Sequence, residues 1–371
     1  MMPLDGIRVI DFGHVWAGPY TAATLADLGA DVIKIESPKR LDVHRRQGPY
    51  PDNEAGVNRS GVWNAQNRNK KSVALNLTDD AQREHAKGLV RQADVVIENF
   101  SPGVMKKLGL DYATLREIKP DLIMASLSAF GQQGPQSAYV GYGPSLDAWS
   151  GLCSLNAYPD EPPLAVGGMF PDTASALYAS FAIMSALRRR ARTGEGTYID
   201  LSELEVSALL LADLLVQFPG EDIPQAWVGN ADPYMRVQGT YPCKGDDAWI
   251  IISIDDNAAW QGLCTVLGGE PKGDVDNAIR KWTRTRTADE AFKELQAHDV
   301  PAGAGLNIAQ LLEDEQLQSR DFFRVVQHPE VGQQTIYAPI WRFDGVAGET
   351  RAAPLLGQDT DAVLAALHEV R

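Results

Sequence analysis

At 371 residues, 44% of them hydrophobic, the chain can bury a large core and divides naturally into two domains. Its net charge of −15 argues against general nucleic-acid binding, which needs a basic surface to displace counterions. The three cysteines, far apart and odd in number, and six scattered histidines support neither a disulfide framework nor a metal site, and they point to a reducing cytoplasm.

The start of the chain reads as a strand leading to a glycine turn rather than a targeting segment. "GIRVIDF" (6–12) is a strand, "PYTAATLADLGA" (19–30) a helix and "DVIKIES" (31–37) the next strand. "SVALNL" (72–77), a helix over 79–92, "DVVIENF" (94–100) and "DLIMASLSAF" (121–130) continue the alternation. Such a pattern predicts an open, mostly parallel α/β sheet with helices on both faces. Ligands bind such sheets outside the carboxyl ends of the strands, here at 13–19, 37–40 and 99–103. Basic residues recur at 37–46, 67–72 and 104–109. Each stretch alone reads as a solvated loop, but each lies beside a predicted strand, a placement suited to one phosphate-bearing ligand. A nicotinamide dehydrogenase would place a ribose-binding acid near Glu36. The turn after the first strand, Gly13-His14-Val15-Trp16-Ala17-Gly18, lacks the glycine spacing that lets backbone approach a pyrophosphate.

Farther along, "GGMFPDTASALYASFAIMSAL" (167–187) sets Asp172 between a glycine-rich approach and a helix predicted over 173–187. By itself the position reads as a helix N-cap, and a nucleophile at a positive helix end is the sharper alternative. The apolar stretch 201–218 carries Glu203, Glu205 and Asp213, so it reads as a buried or interdomain helix and not a membrane span, with Glu203 on its exposed side. From about residue 226 the texture becomes that of a smaller α+β domain. It has a strand at 248–254, helices over 257–267 and 287–297, and a further helical segment at 307–322. "IYAPIWRFDG" (336–345) and a helix over 360–370 close the chain.

Several phrases occur together in a specific order: "PLDGIRVIDFGHVWAGPYTAATLADLGADVIKIESP", "NRNKKSVALNL", "DVVIENFSPGVMKKLGLDY", "GPSLDAWSGL", "GGMFPDTASALYASFAI", "RTGEGTYIDLSELE", "AHDVPAGAGLNIAQLLEDEQLQSRDFF" and "RAAPLLGQDTDAVL". Over nearly its whole length the chain resembles the family III CoA-transferases, the CaiB/BaiF family, which also contains α-methylacyl-CoA racemases. The resemblance implies a Rossmann-like large domain built from both chain ends, 1–200 and 346–371. It also implies a linker helix at 201–225, a small inserted domain at 226–327, a returning linker at 328–345, and an interlocked homodimer. It implies a cytoplasmic acyl-CoA:carboxylate CoA-transferase with no permanently bound cofactor and no metal. The CoA thioester is then a substrate, a small or medium carboxylic acid is the other partner, and neither nucleic acid nor membrane is engaged. By motif the nucleophile falls on Asp172, acting through an aspartyl anhydride and an aspartyl–CoA thioester. A carboxylate with its pKa kept low needs no partner base, and Gly167, Gly168 and Met169 would close apolar backbone around it.

The same resemblance places CoA contacts at Val15, Trp16, Ala17, Leu75, Asn99, Phe100 and Tyr142. Lys107 stands where some members have an arginine against the nucleotide phosphates, and Lys39 or Arg40 compensates for Ser37, an arginine position elsewhere. Leu75 and Phe100 read equally well as core, as does Trp16. Trp16 replaces a glutamine, and 228–245 lacks a tetraglycine loop of the formyl-CoA:oxalate enzymes, which disfavours oxalate. Tyr142 takes the place of the racemase histidine. An unperturbed phenol, with a pKa of about 10, is poorly matched to removing an α-proton at neutral pH, although Asp255 or Asp256 offers a substitute. Racemisation is therefore the nearer alternative, and a non-catalytic CoA-binding protein the one from another class.

Overall fold

The computed structural model describes residues 1–158, 161–167, 169–212, 216, 229–232 and 234–369. In its first half β1 (Arg8–Asp11), α1 (Ala17–Asp27), β2 (Asp31–Glu36), α2 (Gly61–Gln66), β3 (Lys71–Ala74), α3 (Asp80–Arg91) and β4 (Val95–Glu98) follow one another. Then come α4 (Val104–Lys107), α5 (Tyr112–Ile118), β5 (Ile123–Ser128), α6 (Gly143–Trp149), α7 (Phe170–Thr193), β6 (Thr197–Ser202) and α8 (Glu203–Leu209). The six strands form one sheet in the order β3-β2-β1-β4-β5-β6, and every pairing is parallel. This is the doubly wound order, in which the chain reverses direction across the sheet between β1 and β4 and opens a crevice at their carboxyl ends.

Alternate strand residues divide the core between two faces. Val9, Val32, Val95, Ile97, Ile123 and Ala125 meet Leu25 of α1 and Ala179 and Ile183 of α7. Ile10, Ile33, Ile35, Val73, Val96 and Met124 meet Leu89 and Val90 of α3 and Leu115 of α5 on the other side.

A separate compact unit takes in the described residues of Ser154–Leu164 and Glu221–Gln318. Its three-stranded antiparallel sheet joins β7 (Val237–Pro242), β8 (Trp249–Ile254) and, after α9 (Asn257–Val266), α10 (Val275–Thr283) and α11 (Ala288–Gln296), β9 (Ala302–Ala304). Ile250, Ile252 and Ile254 pack against Trp260, Leu263, Ile279 and Leu295. The segment 307–322 forms two short helices, α12 (Ile308–Leu312) and α13 (Glu315–Ser319), because Asp314 intervenes and accepts from the Leu317 N–H. The chain then returns to the first unit with the hairpin β10 (Phe323–His328) and β11 (Gly332–Tyr337), the small ladder β12 (Arg342–Phe343) and β13 (Val346–Ala347), and α14 (Thr360–Glu369). Val363, Leu364 and Leu367 of α14 pack on the α3 face, and Thr360 Oγ1 accepts from the Ala74 N–H on β3.

Two helix expectations change. The single helix expected over 201–218 does not form as such: Leu201 and Ser202 complete β6, and Ser202 caps a short α8 that ends at Leu210. Residues 213–215 and 217–225 of the linker expected over 201–225 lie outside the described residues, as does Gly168. The helix after the glycine-rich approach starts at Phe170 rather than 173. Among the described residues no helix is long and apolar enough to cross a membrane.

Candidate active site

A cavity of about 440 Å³ opens at the carboxyl ends of the parallel strands. It is walled by the segments following β1 (His14, Val15), β2 (Ser37, Arg40), β3 (Leu75–Thr78), β4 (Asn99–Pro102) and β5 (Ser128, Ala129), with Asp172 and Glu203 also on its surface.

The loop after β1 is held from several sides. Asn99 accepts from the His14 N–H at 2.7 Å and donates back to the His14 carbonyl at 2.8 Å. Asp42 accepts from the N–H of Val15, which sits at φ 65°. Gly13 and Gly18 touch each other and Asn99 so closely that a Cβ on Gly18 would lie 2.9 Å from Asn99 Oδ1, so both positions need glycine. Beneath the loop, Lys34 donates to the Gly13 carbonyl, and Lys70 donates to Asp11 Oδ2 at 2.9 Å, the Pro19 carbonyl and Asn67. Glu36 forms a bidentate pair with Arg45, whose guanidinium lies over Trp63 at 3.3 Å. An acid so engaged is not presented to a ribose.

Asp172 lies in the first turn of α7 and does not cap it. The N-cap is Met169, left-handed at φ 54° and without a side-chain bond to the helix, and Pro171 occupies the first turn, where a missing N–H costs nothing. The carboxyl is 7% exposed, and its Oδ2 has no hydrogen-bond partner. Gly143, first residue of α6, comes so near that a Cβ there would strike Asp172 Oδ2. Burial pushes the acid up, and the N–H groups of Asp172 and Gly143 oppose that. Asp147 adds to the upward push, and the result is about 6. The low pKa expected of this carboxylate is therefore not what the site provides, because burial favours the neutral form.

Glu203 corrects a second expectation. Instead of standing exposed on a helix it is 6% exposed on the cavity wall, and burial followed by the Asp172 charge raises it to about 8. The cause is the change of helix register: with Ser202 as N-cap, Glu203, Val206 and Ser207 form the buried side of α8. Asp147, 1% exposed on α6 with its Oδ1 unpartnered, completes an acidic group that the sequence reading overlooked. Its signal was present as spacing, since Gly143 and Asp147 are four apart and share the buried face of α6 with Leu146. Among the described residues no group of acids, histidines and cysteines is arranged to hold a metal ion.

Of the other sequence-derived contacts, Val15, Arg40, Leu75, Asn99, Phe100 and Tyr142 share the cavity wall. Leu75 and Phe100 also pack with the core on the α3 face, so both readings of them hold. Tyr142 is 61% exposed at the N-terminus of α6. Trp16, Ala17, Lys39 and Lys107 are not on the wall. Ala17 is buried in the core, and Lys39 and Lys107 are exposed elsewhere. Trp16 instead donates from Nε1 to Thr173 Oγ1 at 3.0 Å and sets its ring edge-on to His44. Arg46, within the basic stretch 37–46 but not singled out there, lines the cavity with Arg40. The stretch 67–72 is spent internally: Arg68 pairs with Asp27, Lys70 with Asp11 and Lys71 with Asp31. In the second unit Asp256 caps α9 by accepting from the Ala259 N–H.

The family model for CoA-transferase family III matches residues 4–360. A succinate–glutarate CoA-transferase of Agrobacterium fabrum is 33% identical over 99% of this chain and 96% of its own length. An acetyl-CoA:oxalate CoA-transferase of Acetobacter aceti is 38% identical over 72% of this chain and 67% of its own. The crystal structure of a CaiB/BaiF family protein from Brucella suis superposes with a TM-score of 0.87 at 31% identity, covering 99% of both chains. The chain belongs to CoA-transferase family III.

Proposed function

We propose that the protein moves CoA from an acyl-CoA donor to a free carboxylic acid, with Asp172 as the nucleophile. The observation that carries this reading is a carboxylate 7% exposed, with one oxygen unpartnered, on the wall of the crevice at the strand ends. An Asp172 oxygen attacks the thioester carbonyl, the C–S bond breaks, and CoA leaves as thiolate, giving an acyl–aspartyl anhydride. The thiolate attacks the aspartyl carbonyl and releases the donor acid. The acceptor carboxylate then displaces thiolate to form a second anhydride, from which thiolate collects the new acyl group. An anhydride persists only where water is scarce, which the burial of Asp172 supports. The Gly143 and Asp172 amides are aimed at the carboxyl and suit a developing oxyanion.

Arg40 and Arg46 on the cavity wall suit the CoA phosphates, with Val15, Leu75, Asn99, Phe100 and Tyr142 along the remainder. Relatives named for glutarate, D-citramalate and mesaconate make dicarboxylic acids the first acceptors to try, with oxalate included because of the Acetobacter relative. The inserted small domain and the interlocked homodimer belong to the same proposal. Leu177, Tyr178 and Phe181, exposed along α7, support a partner on that helix.

The test is trapping. With acyl-CoA present, hydroxylamine should convert an activated aspartyl group to a hydroxamate that peptide mass mapping places on Asp172. Label on another carboxylate would overturn the assignment.

A further inference from the structure

Glu203 is a buried acid on the cavity wall that the chemistry above leaves without a task. It begins α8, which packs against α6, α7 and β6. From α7 the facing group is Asp172, and Asp147 of α6 acts on Asp172 in turn. The β6 groups Asp200 and Tyr198 interact with Glu98 instead, Glu205 is exposed, Tyr178 is exposed, and the arginines of α7 lie in its last turns. The groups acting on Asp172 and Glu203 are amides and acids, with no lysine or arginine among them. The unpartnered Asp172 Oδ2, with its residue more than nine-tenths buried on the same wall, marks the place as one that awaits a donor.

We propose that Glu203 is an acceptor-binding residue: a neutral carboxylic acid that donates its O–H to the acceptor's carboxylate when that anion takes its place beside Asp172. This inference rests on the proposed role of Asp172. Two buried carboxyls on one cavity wall do not both ionise near neutral pH. Burial and the Asp172 charge leave the shared proton on Glu203, at about 8 against about 6. A neutral acid is a donor, and an O–H bonded to a carboxylate is among the stronger hydrogen bonds. When Asp172 has become a thioester it carries no charge, and the acceptor anion enters where that charge was. Burial, the larger cause of Glu203's shift, persists at that stage, so the proton stays. As the acceptor oxygen bonds to the aspartyl carbonyl carbon, the C–S bond breaks and its electron pair leaves on the CoA sulfur. The Glu203 proton is neither consumed nor released, as an exchange between carboxylates requires.

The test compares Glu203→Leu and Glu203→Gln with the wild type. Succinyl-CoA and glutarate are the first pair, replaced by the fastest pair from a panel of mono- and dicarboxylic acids. Glu203→Leu should raise the acceptor KM about tenfold or more, the scale of a lost hydrogen bond to a charged group, while hydroxylamine still labels Asp172 from acyl-CoA. Glu203→Gln keeps a neutral N–H donor. Its acceptor KM should stay level as pH rises to about 9, over a range in which that of the wild type climbs as Glu203 ionises. An unchanged acceptor KM in Glu203→Leu, or a climb in Glu203→Gln matching the wild type, overturns the proposal. Should Glu203→Leu not fold, the pH comparison with Glu203→Gln decides alone. Failure to label Asp172 in the wild type falls on the nucleophile assignment, and the acceptor KM values still decide Glu203.

Discussion

Two buried ionisable groups lie in the same α/β unit and behave oppositely. Under the β1 loop, Asp11 is shared by Lys34 and Lys70, at 3.7 and 2.9 Å. Burial alone would raise Asp11, but the two lysines bring it below its ordinary value. Lys70 falls as well, to about 8, from burial and because a second cation competes for the one anion. Its remaining donors are taken by the Pro19 carbonyl and Asn67. In the cavity wall, by contrast, the groups acting on Asp172 and Glu203 include no cation, and oxygens of Asp147 and Asp172 go unpartnered. Burial with matched charge fixes a loop in place, whereas burial with unmatched charge leaves a group poised to react.

The largest test of that contrast is Asp172→Asn. On the proposed mechanism exchange falls by about four orders of magnitude or more, the scale seen when a nucleophile is removed. Thermal unfolding should stay within about 2 °C of wild type or rise slightly, since no ion pair is broken. A comparable loss of stability would place Asp172 with the matched group. Lys70→Met should do the reverse. It should cost about 3 kcal/mol of stability, measured by urea unfolding, because Asp11 keeps only the more distant Lys34.

Glu203→Gln sharpens the comparison through pH. A raised acid stabilises the fold fully below its unfolded pKa of about 4.3 and loses that contribution as pH rises through the folded value of about 8. The melting temperature of Glu203→Gln should therefore match wild type near pH 4. It should then exceed wild type by a margin growing to about a few degrees by pH 8, and level off above. A margin that does not change with pH would show that Glu203 ionises freely in the folded protein. The smallest effect belongs to Trp16→Phe, which removes only the bond to Thr173 Oγ1 and should cost about 1 kcal/mol. Retained acceptor preference in that variant would fit the position of Trp16 off the cavity wall.

Five of the six parallel strands are legible because each carries an apolar run, a local signal, whereas β6, TYIDLS, carries none and escapes it. Arg40 and Asn99 were legible as segments just past strand ends. Lys39 was not separable from Arg40, since one residue's difference in a loop decides which side chain turns inward. The start of α7 was misplaced by three residues although Pro171 marked it, because the reading gave the boundary to the acid and not to the proline. The exposed place expected of Glu203 comes from starting the helix at Leu201, inside the last two residues of β6, which turns α8 about its axis. Asp147, Asp172 and Glu203, at least 25 residues apart in sequence, come together from three elements, and no periodicity within a segment reports such a meeting.

Gly143 has no side chain and takes part in no bond-making step, yet its α-carbon is the floor on which Asp172 rests. In a saturation library selected for CoA exchange, codons other than glycine at 143 should be depleted, because any Cβ there must push the Asp172 carboxyl or the Met169 side chain from its place. The protein made from those codons would nonetheless be abundant and folded. Position 143 thus acts as a second address for the same function, felt only through the place it leaves for the acid.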